Sequence, residues 1–249
     1  MPFKTRQKQP KSNRIHGTLG ILLIGLIAVS AFLTGCKHTD TKQTYTKQPT
    51  KTSGPLTGST NGHDWVDLGL PSGIKWATKN VGATNPEENG DYFSWGETEP
   101  KIVYADTNCI TYPKDFSSML RERIVDADGN LTKEHDAASI NWGKEWRTPT
   151  DDEFKELVEN CKWEFTELNG ATGFQATGPN GKSIFIIAAG YRLGAPPYQM
   201  GEYGFGDYWS ATAVKELNRV SCCFGYSPKT YGRRCYARYR GRTIRPVTN

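Results

Sequence analysis

The chain has no Cys-Xaa-Xaa-Cys pair and no cysteine–histidine spacing suited to structural zinc. It also lacks a glycine-rich phosphate loop and a Gly-Xaa-Ser-Xaa-Gly turn, so the common sequence marks of nucleotide binding and serine hydrolysis are missing. Histidine is scarce, with four in 249 residues. His63 and His135 stand apart from each other and from every cysteine, and each reads as a surface or loop side chain rather than a metal ligand. No internal repeat is evident, and no cofactor is expected. Acidic residues are absent from the first 35 positions. No apolar run reaches the roughly 20 residues of a spanning helix, the longest being the sixteen from Thr18 to Leu33.

What stands at the start is Lys4, Arg6, Lys8, Lys11 and Arg14, then that apolar run, then small residues. This is the order of a secretory signal. The run closes on Leu33-Thr34-Gly35-Cys36, which resembles the lipobox of bacterial lipoproteins. The resemblance implies a signal peptide over 1–35, cleavage before Cys36, and lipidation of that cysteine as the membrane anchor. An uncleaved N-terminal anchor is the alternative, and it too would leave the rest of the chain exported and tethered. The expected location is the cell envelope, lipid-anchored at the outer membrane and surface-exposed. The periplasmic face remains the other option, because Lys37 and the lack of an acidic run after Cys36 give little help on sorting.

The net charge of +5 comes entirely from the first 35 residues, which leaves the mature chain with 26 groups of each sign. The balance is uneven. Lys215 to Asn249 carries nine basic residues and one acidic, and 36–214 carries the compensating excess of acid. A local basic face says more about partners than the global value does. Besides Cys36 there are five cysteines, at 109, 161, 222, 223 and 235. The count is odd, and adjacent Cys222 and Cys223 would point to opposite faces of a strand. A disulfide framework is therefore not expected to define the fold.

From Lys37 to about Gly62 the chain is rich in Thr, Lys, Gln, Ser, Gly and Pro, with Tyr45 and Leu56 its only large apolar side chains. Such a stretch buries too little to offset its ordering entropy, so residues 36–62 read as a flexible tether. At Trp65 the composition changes. All seven Trp residues lie between 65 and 209, among short apolar runs punctuated by Gly and Pro. Thr150-Asp151-Asp152-Glu153 makes a capping box, and Phe154, Leu157, Val158 and Cys161 follow at the spacing of a buried helical stripe. Gly173–Thr177, Asn180-Gly181 and Ser183–Ala188 predict a hairpin. Further strands are expected from Tyr208 onward. The reading is one α+β domain over 63–249.

The same residues carry a family resemblance. Val66-Asp67-Leu68-Gly69-Leu70-Pro71-Ser72-Gly73 leads into Lys75-Trp76-Ala77-Thr78 and Asn80-Val81-Gly82-Ala83. Gly90-Asp91-Tyr92-Phe93-Ser94-Trp95-Gly96-Glu97 and Trp146-Arg147-Thr148-Pro149-Thr150 follow. Then come Ala188-Ala189-Gly190-Tyr191-Arg192, Tyr208-Trp209-Ser210-Ala211-Thr212 and Gly241-Arg242-Thr243-Ile244-Arg245-Pro246-Val247. In this order they resemble the Fibrobacter succinogenes major paralogous domain of exported lipoproteins, over about 63–248. That family is related to C-type lectin-like folds, including the formylglycine-generating branch. The resemblance implies a C-type lectin-like domain with short antiparallel strands, long ordered loops and one or two helices. Physics assigns most of these motifs to the core: Trp76, Trp95, Trp146 and Trp209 as fillers, and Arg147 and Arg245 as buried partners of Asp or backbone carbonyls.

Candidate chemistry divides unevenly. Formylglycine-generating relatives bind copper with a closely spaced pair of cysteines. The spacing of Cys222, Cys223 and Cys235 does not match, and no histidine lies within 80 residues of them. A non-enzyme is expected. Asp126-Ala127-Asp128-Gly129-Asn130 hints at calcium, but glycine stands fourth instead of sixth and position 12 is Ala137, so a hairpin turn explains it better. The Glu-Pro-Asn and Trp-Asn-Asp motifs of animal C-type lectins are absent, which leaves calcium-free glycan binding open.

The C-terminal segment is distinct, with seven Arg and four Tyr between Arg219 and Arg245. As a strand over 233–245 it would present Arg234, Tyr236, Arg238, Arg240, Arg242 and Ile244 on one face, and Cys235, Ala237, Tyr239 and Gly241 toward the core. Arg and Tyr favour interfaces. The candidate ligand-binding set is Arg219, Ser221, Phe224, Tyr226, Tyr231, Arg233, Arg234, Tyr236 and Arg240, for an anionic glycan or protein ligand. The alternative is a solvated strand face. Nucleic acid is not expected as a partner of an exported, otherwise acidic protein. The fold resemblance adds one idea, since such domains display segments diversified by retroelement mutagenesis at adenines. From Arg219 to Arg240 only Lys229 lies outside the residues reachable that way. The expected role is an adhesin or receptor, with a structural subunit of a surface assembly or pilus tip as the alternative.

Overall fold

The computed structural model describes residues 57–196 and 204–249, all within one compact unit. The expected signal peptide over 1–35, Cys36 and the part of the expected tether up to residue 56 lie outside the described residues. Among the described residues no helix is long and apolar enough to cross a membrane.

Three antiparallel sheets organise the domain. The first has the order β1-β2-β3-β10, from Thr57–Thr60, His63–Asp67, Lys75–Ala77 and Val247–Thr248. The other two are simple meanders: β4-β5-β6 (Lys162–Leu168, Ala171–Thr177, Ser183–Ile187) and β7-β8-β9 (Gly206–Ala213, Val220–Ser227, Thr230–Ala237). Helices α1 (Phe116–Arg121), α2 (Ala137–Trp142) and α3 (Asp151–Asn160) lie between the first two sheets in sequence. The last strand returns to the first sheet, pairing Val247 with Trp76 and Thr248 with Lys75.

Two aromatic cores sit on opposite sides of a wall built largely from β3, β7 and β8. Because side chains alternate along a strand, Ala77, Trp209 and Cys223 enter one core with Trp65, Trp95 and Trp146. Their neighbours Trp76, Tyr208 and Phe224 enter the other with Phe154, Leu157 and Phe174. All four Trp residues assigned to packing are buried, at 0 or 1% exposure. The Tyr208 hydroxyl donates to the Ile187 carbonyl at 2.5 Å and that of Tyr226 to Ile186 at 2.6 Å, which ties the second sheet to the third.

Helix α3 forms as its sequence predicts. Thr150 caps it, accepting from the Glu153 amide at 3.2 Å, while the Glu153 carboxylate accepts from the Thr150 amide at 2.8 Å. Arg147 grips the same carboxylate with two nitrogens, so its partner is Glu rather than Asp. Thr150→Ala is expected to cost about 1 kcal/mol, the usual value of a lost N-cap, measured as a lower urea midpoint at unchanged slope. The β5–β6 hairpin also matches, with Phe174 opposite Ile186. At the hinted calcium loop, the Asp126 carboxylate accepts from the Gly129 and Asn130 amides at 2.9 Å each. The segment is a turn.

Two expectations need correction. The helices number three among the described residues, since α1 and α2 have six residues each and are too short to show a helical period. Order also begins earlier than residue 63, because Thr57 already pairs with Val66. Thr57–Thr60 buries no side chain fully and carries no apolar alternation, so only its ladder bonds and the Asn61-Gly62 turn reveal it. Both turn residues have positive φ, 50° and 77°, the conformation of a two-residue hairpin loop that Asn-Gly favours.

Candidate binding face on the C-terminal ribbon

Strands β8 and β9 pair tightly, placing Ser221 opposite Tyr236, Cys222 opposite Cys235, Cys223 opposite Arg234, and Phe224 opposite Arg233. β8 is the central strand and is covered on both sides. Ser221, Phe224 and Tyr226 are buried at 0 or 1% exposure, which removes them from any surface open to a ligand. Phe224 stacks on Phe154 of α3, and the Ser221 hydroxyl accepts from Arg238.

β9 is the edge strand, and its side chains divide between two faces. Tyr231 and Arg233 point toward β4 and α3. The Tyr231 ring stacks on Trp163 at 5.2 Å between centroids, and Arg233 pairs with Asp151 at 2.5 Å. Arg234 and Tyr236 point the other way. Arg219 is exposed in the turn before β8, with its guanidinium 5.8 Å from the Tyr112 ring. The nine-residue set is therefore not one surface.

The expected strand over 233–245 ends at Ala237, and apart from Gly241, which is buried as expected, much of its sidedness departs from the reading from alternation. Cys235 is exposed, whereas Arg238, Arg242 and Ile244 are buried. Arginine can take core positions here because carbonyls and aromatic faces receive it. Arg238 donates to main-chain oxygens of Thr111, Lys114, Leu217 and Val220. Arg245 donates to Ala77, Thr78 and the Asn80 side chain, in line with its expected role.

One group of predicted residues does come together. Arg234, Tyr236 and Arg240 surround Asp207 of β7, joined by Tyr191 and Arg242. Arg234 lies 4.0 Å and Arg242 3.6 Å from the Asp207 carboxylate. Arg240 sits 5.2 Å from the Tyr191 ring and 5.5 Å from the Tyr236 ring. Arg242 lies 4.3 Å from Tyr236 and 4.5 Å from Trp209, so two aromatic rings flank a fully buried guanidinium. Gly225 makes room for the pair, since a Cβ there would fall 2.6 Å from both Arg234 Cδ and Asp207 Oδ1.

The electrostatics are unbalanced. Three guanidinium groups meet one carboxylate, and among the described residues all three Arg242 nitrogens, Arg240 Nε and Asp207 Oδ1 have no hydrogen-bond partner. Burial pushes the Asp207 carboxyl up from its ordinary value, opposed by Arg242, Arg234 and Arg240, and it lowers Arg242. Arg234, Tyr236 and Arg240 are half-buried at the surface of this cluster. Sequence reasoning missed Tyr191, which lay in a Gly190-Tyr191-Arg192 run assigned to core filling, and Asp207, which fell just before the Tyr208-Trp209 motif and within none.

Other places offer less chemistry. A cavity of about 670 Å³, lined by Asp136, Arg147 and Thr148 among others, has its buried carboxylate fully engaged. Asp136 accepts from the Ala138 and Thr148 amides and from the Thr148 hydroxyl. His63 stacks on Trp142 at 3.8 Å between centroids, and His135 bonds the Gly96 carbonyl. No group of potential metal ligands occurs among the described residues. Burial pushes the thiols of Cys222 and Cys223 up to about 12, the opposite of an activated thiolate. No protein-family model, curated protein or solved structure matches this chain.

Proposed function

We propose that the chain is a membrane-tethered surface lipoprotein, anchored through Cys36, whose C-type lectin-like domain binds an anionic protein or glycan through Arg234, Tyr236 and Arg240. The observation that carries this reading is the Asp207 cluster. Its guanidiniums exceed its carboxylates, and Arg240, set against the Tyr191 and Tyr236 rings, lies with Arg234 at a half-exposed edge. An incoming carboxylate or sulfate would pair with the half-exposed Arg234 and Arg240 guanidiniums at the rim, where charge-assisted hydrogen bonds are strong. Antiparallel meanders, three short helices and long ordered connections support the lectin-like assignment.

Retroelement diversification fits this domain only in part. Freely varied positions must tolerate many side chains, which suits exposed Tyr231 better than Arg233, held by Asp151, or Cys235, opposite Cys222. It does not suit the buried run from Ser221 to Tyr226. A near-identical template repeat in the surrounding nucleotide sequence, with adenines at the β9 codons, is the expected finding.

The test is an array of sulfated and carboxylated glycans and host proteins, probed with the full chain and with Arg234→Ala/Tyr236→Ala/Arg240→Ala. Loss of two charge-assisted contacts is expected to weaken binding at least about 100-fold. Equal binding by a folded variant would overturn the assignment. A structural role in a surface assembly is the second reading, favoured by the exposure of Ile102 at 76% and Ile110 at 52%. It predicts self-association in sedimentation and no ligand on the array.

A further inference from the structure

We infer that Cys222 and Cys235 form a cross-strand disulfide by exchange with a small external disulfide. The two residues are direct partners in the β8–β9 ladder, and their sulfurs are 3.8 Å apart. Opposed residues of an antiparallel pair have Cα atoms about 4.5–5.5 Å apart, inside the 4.4–6.8 Å range that a disulfide spans. Closing the bond therefore needs only a small movement of the two side chains. No other two cysteine sulfurs are in contact among the described residues. Cys223, adjacent in sequence, turns to the opposite face and packs in the aromatic core.

The surroundings assign the two sulfurs different parts. Cys235 is exposed on the edge strand, whereas Cys222 is buried behind it. Cys235 is thus the thiol an external disulfide reaches first. Its sulfur attacks one sulfur of that disulfide, forms a mixed disulfide and releases one thiol. Cys222 then attacks the Cys235 sulfur and releases the second thiol. Two electrons pass from the cysteine pair to the external disulfide, and the two cysteine protons end on the released thiols. The Arg233 guanidinium donates to Cys222 Sγ at 2.7 Å and is itself held by Asp151. It is placed to stabilise the negative charge that develops on Cys222 in the second step. Burial, which otherwise keeps that thiol protonated, makes this contact necessary.

The bond would fasten the edge strand to its neighbour on the side opposite Arg234 and Tyr236. The inference is independent of any ligand for that face. It is tested by treating the reduced full chain with oxidised glutathione. The expected result is loss of two free thiols, a Cys222–Cys235 linked peptide on mapping, and a thermal midpoint raised by roughly 5–10 °C. In Cys222→Ser the second step is blocked, so glutathione is expected to remain on Cys235. A wild-type chain that keeps the glutathione adduct, gains a bond to any other cysteine, or fails to react would overturn the inference. So would a Cys222→Ser protein that does not retain the adduct.

Discussion

Arg238→Ala is expected to lower folding stability by about 3–5 kcal/mol, the combined loss of several hydrogen bonds from a charged donor and of the packing of a buried side chain. Arg238 is fully buried and has no carboxylate among its partners. Its guanidinium is held by carbonyl oxygens from the Thr111–Lys114 turn, the Leu217 turn and β8, with the Trp95 ring 5.1 Å away. Burial alone opposes the charge, and it pulls the group down to about 10. The hydrogen bonds offset that cost. Truncation takes a donor from the part-buried Lys114, Leu217 and Val220 oxygens and from the Ser221 hydroxyl, while the Thr111 oxygen keeps the Lys114 amide. An acceptor left where water cannot reach it carries a penalty of about 1–3 kcal/mol. Arg238→Lys should lose less than alanine but still more than about 1 kcal/mol, because a single ammonium lacks the planar fork that spans these separate oxygens. Urea unfolding of the three proteins checks the order. An alanine variant within about 1 kcal/mol of wild type would show that the carbonyl hub contributes little.

Trp209→Ala is the second large effect, expected at about 5 kcal/mol, the upper end for losing a buried aromatic. The ring is 1% exposed, and its indole nitrogen donates to the Phe93 carbonyl at 2.8 Å. It also forms one of the two aromatic faces against Arg242. Alanine would open a cavity, leave the Phe93 oxygen with the Arg242 amide as its remaining donor, and take one aromatic face from a buried guanidinium. Trp209→Phe retains most of the volume and a face for Arg242 but loses the indole donor, so a smaller loss of about 1–3 kcal/mol is expected. Since domains of this kind are stable by only about 5–15 kcal/mol, the alanine variant should show a clearly reduced urea midpoint and the phenylalanine variant an intermediate one. Equal losses for the two would place the importance of Trp209 in its donor rather than its bulk.

Legibility followed the range of the interactions involved. Helix α3 was readable because its cap, its acidic first turn and its buried stripe all lie within twelve residues, from Thr150 to Cys161. The β5–β6 hairpin was readable for the same reason, as a local turn between two apolar runs. β1 was not, since a strand at a sheet edge needs only backbone bonds and leaves no apolar alternation. The candidate site was half legible. Arg234, Tyr236 and Arg240 were marked by composition, while Asp207 and Tyr191 join them only through the pairing of β7 with β8 and the path of the chain after Ile187.

The sequence by itself determined which segments fold locally, which aromatic residues fill the interior, and where basic charge accumulates. Each of these depends on residue type or on spacing within one element. Only the tertiary structure decided which arginines of the C-terminal segment turn inward. Alternation assigned Arg238 and Arg242 to solvent, but a guanidinium is buried wherever distant carbonyls and aromatic faces converge on it. That convergence joins segments more than 100 residues apart in sequence, as in the Arg238 bonds to Thr111 and Lys114. No periodicity along a single strand encodes it.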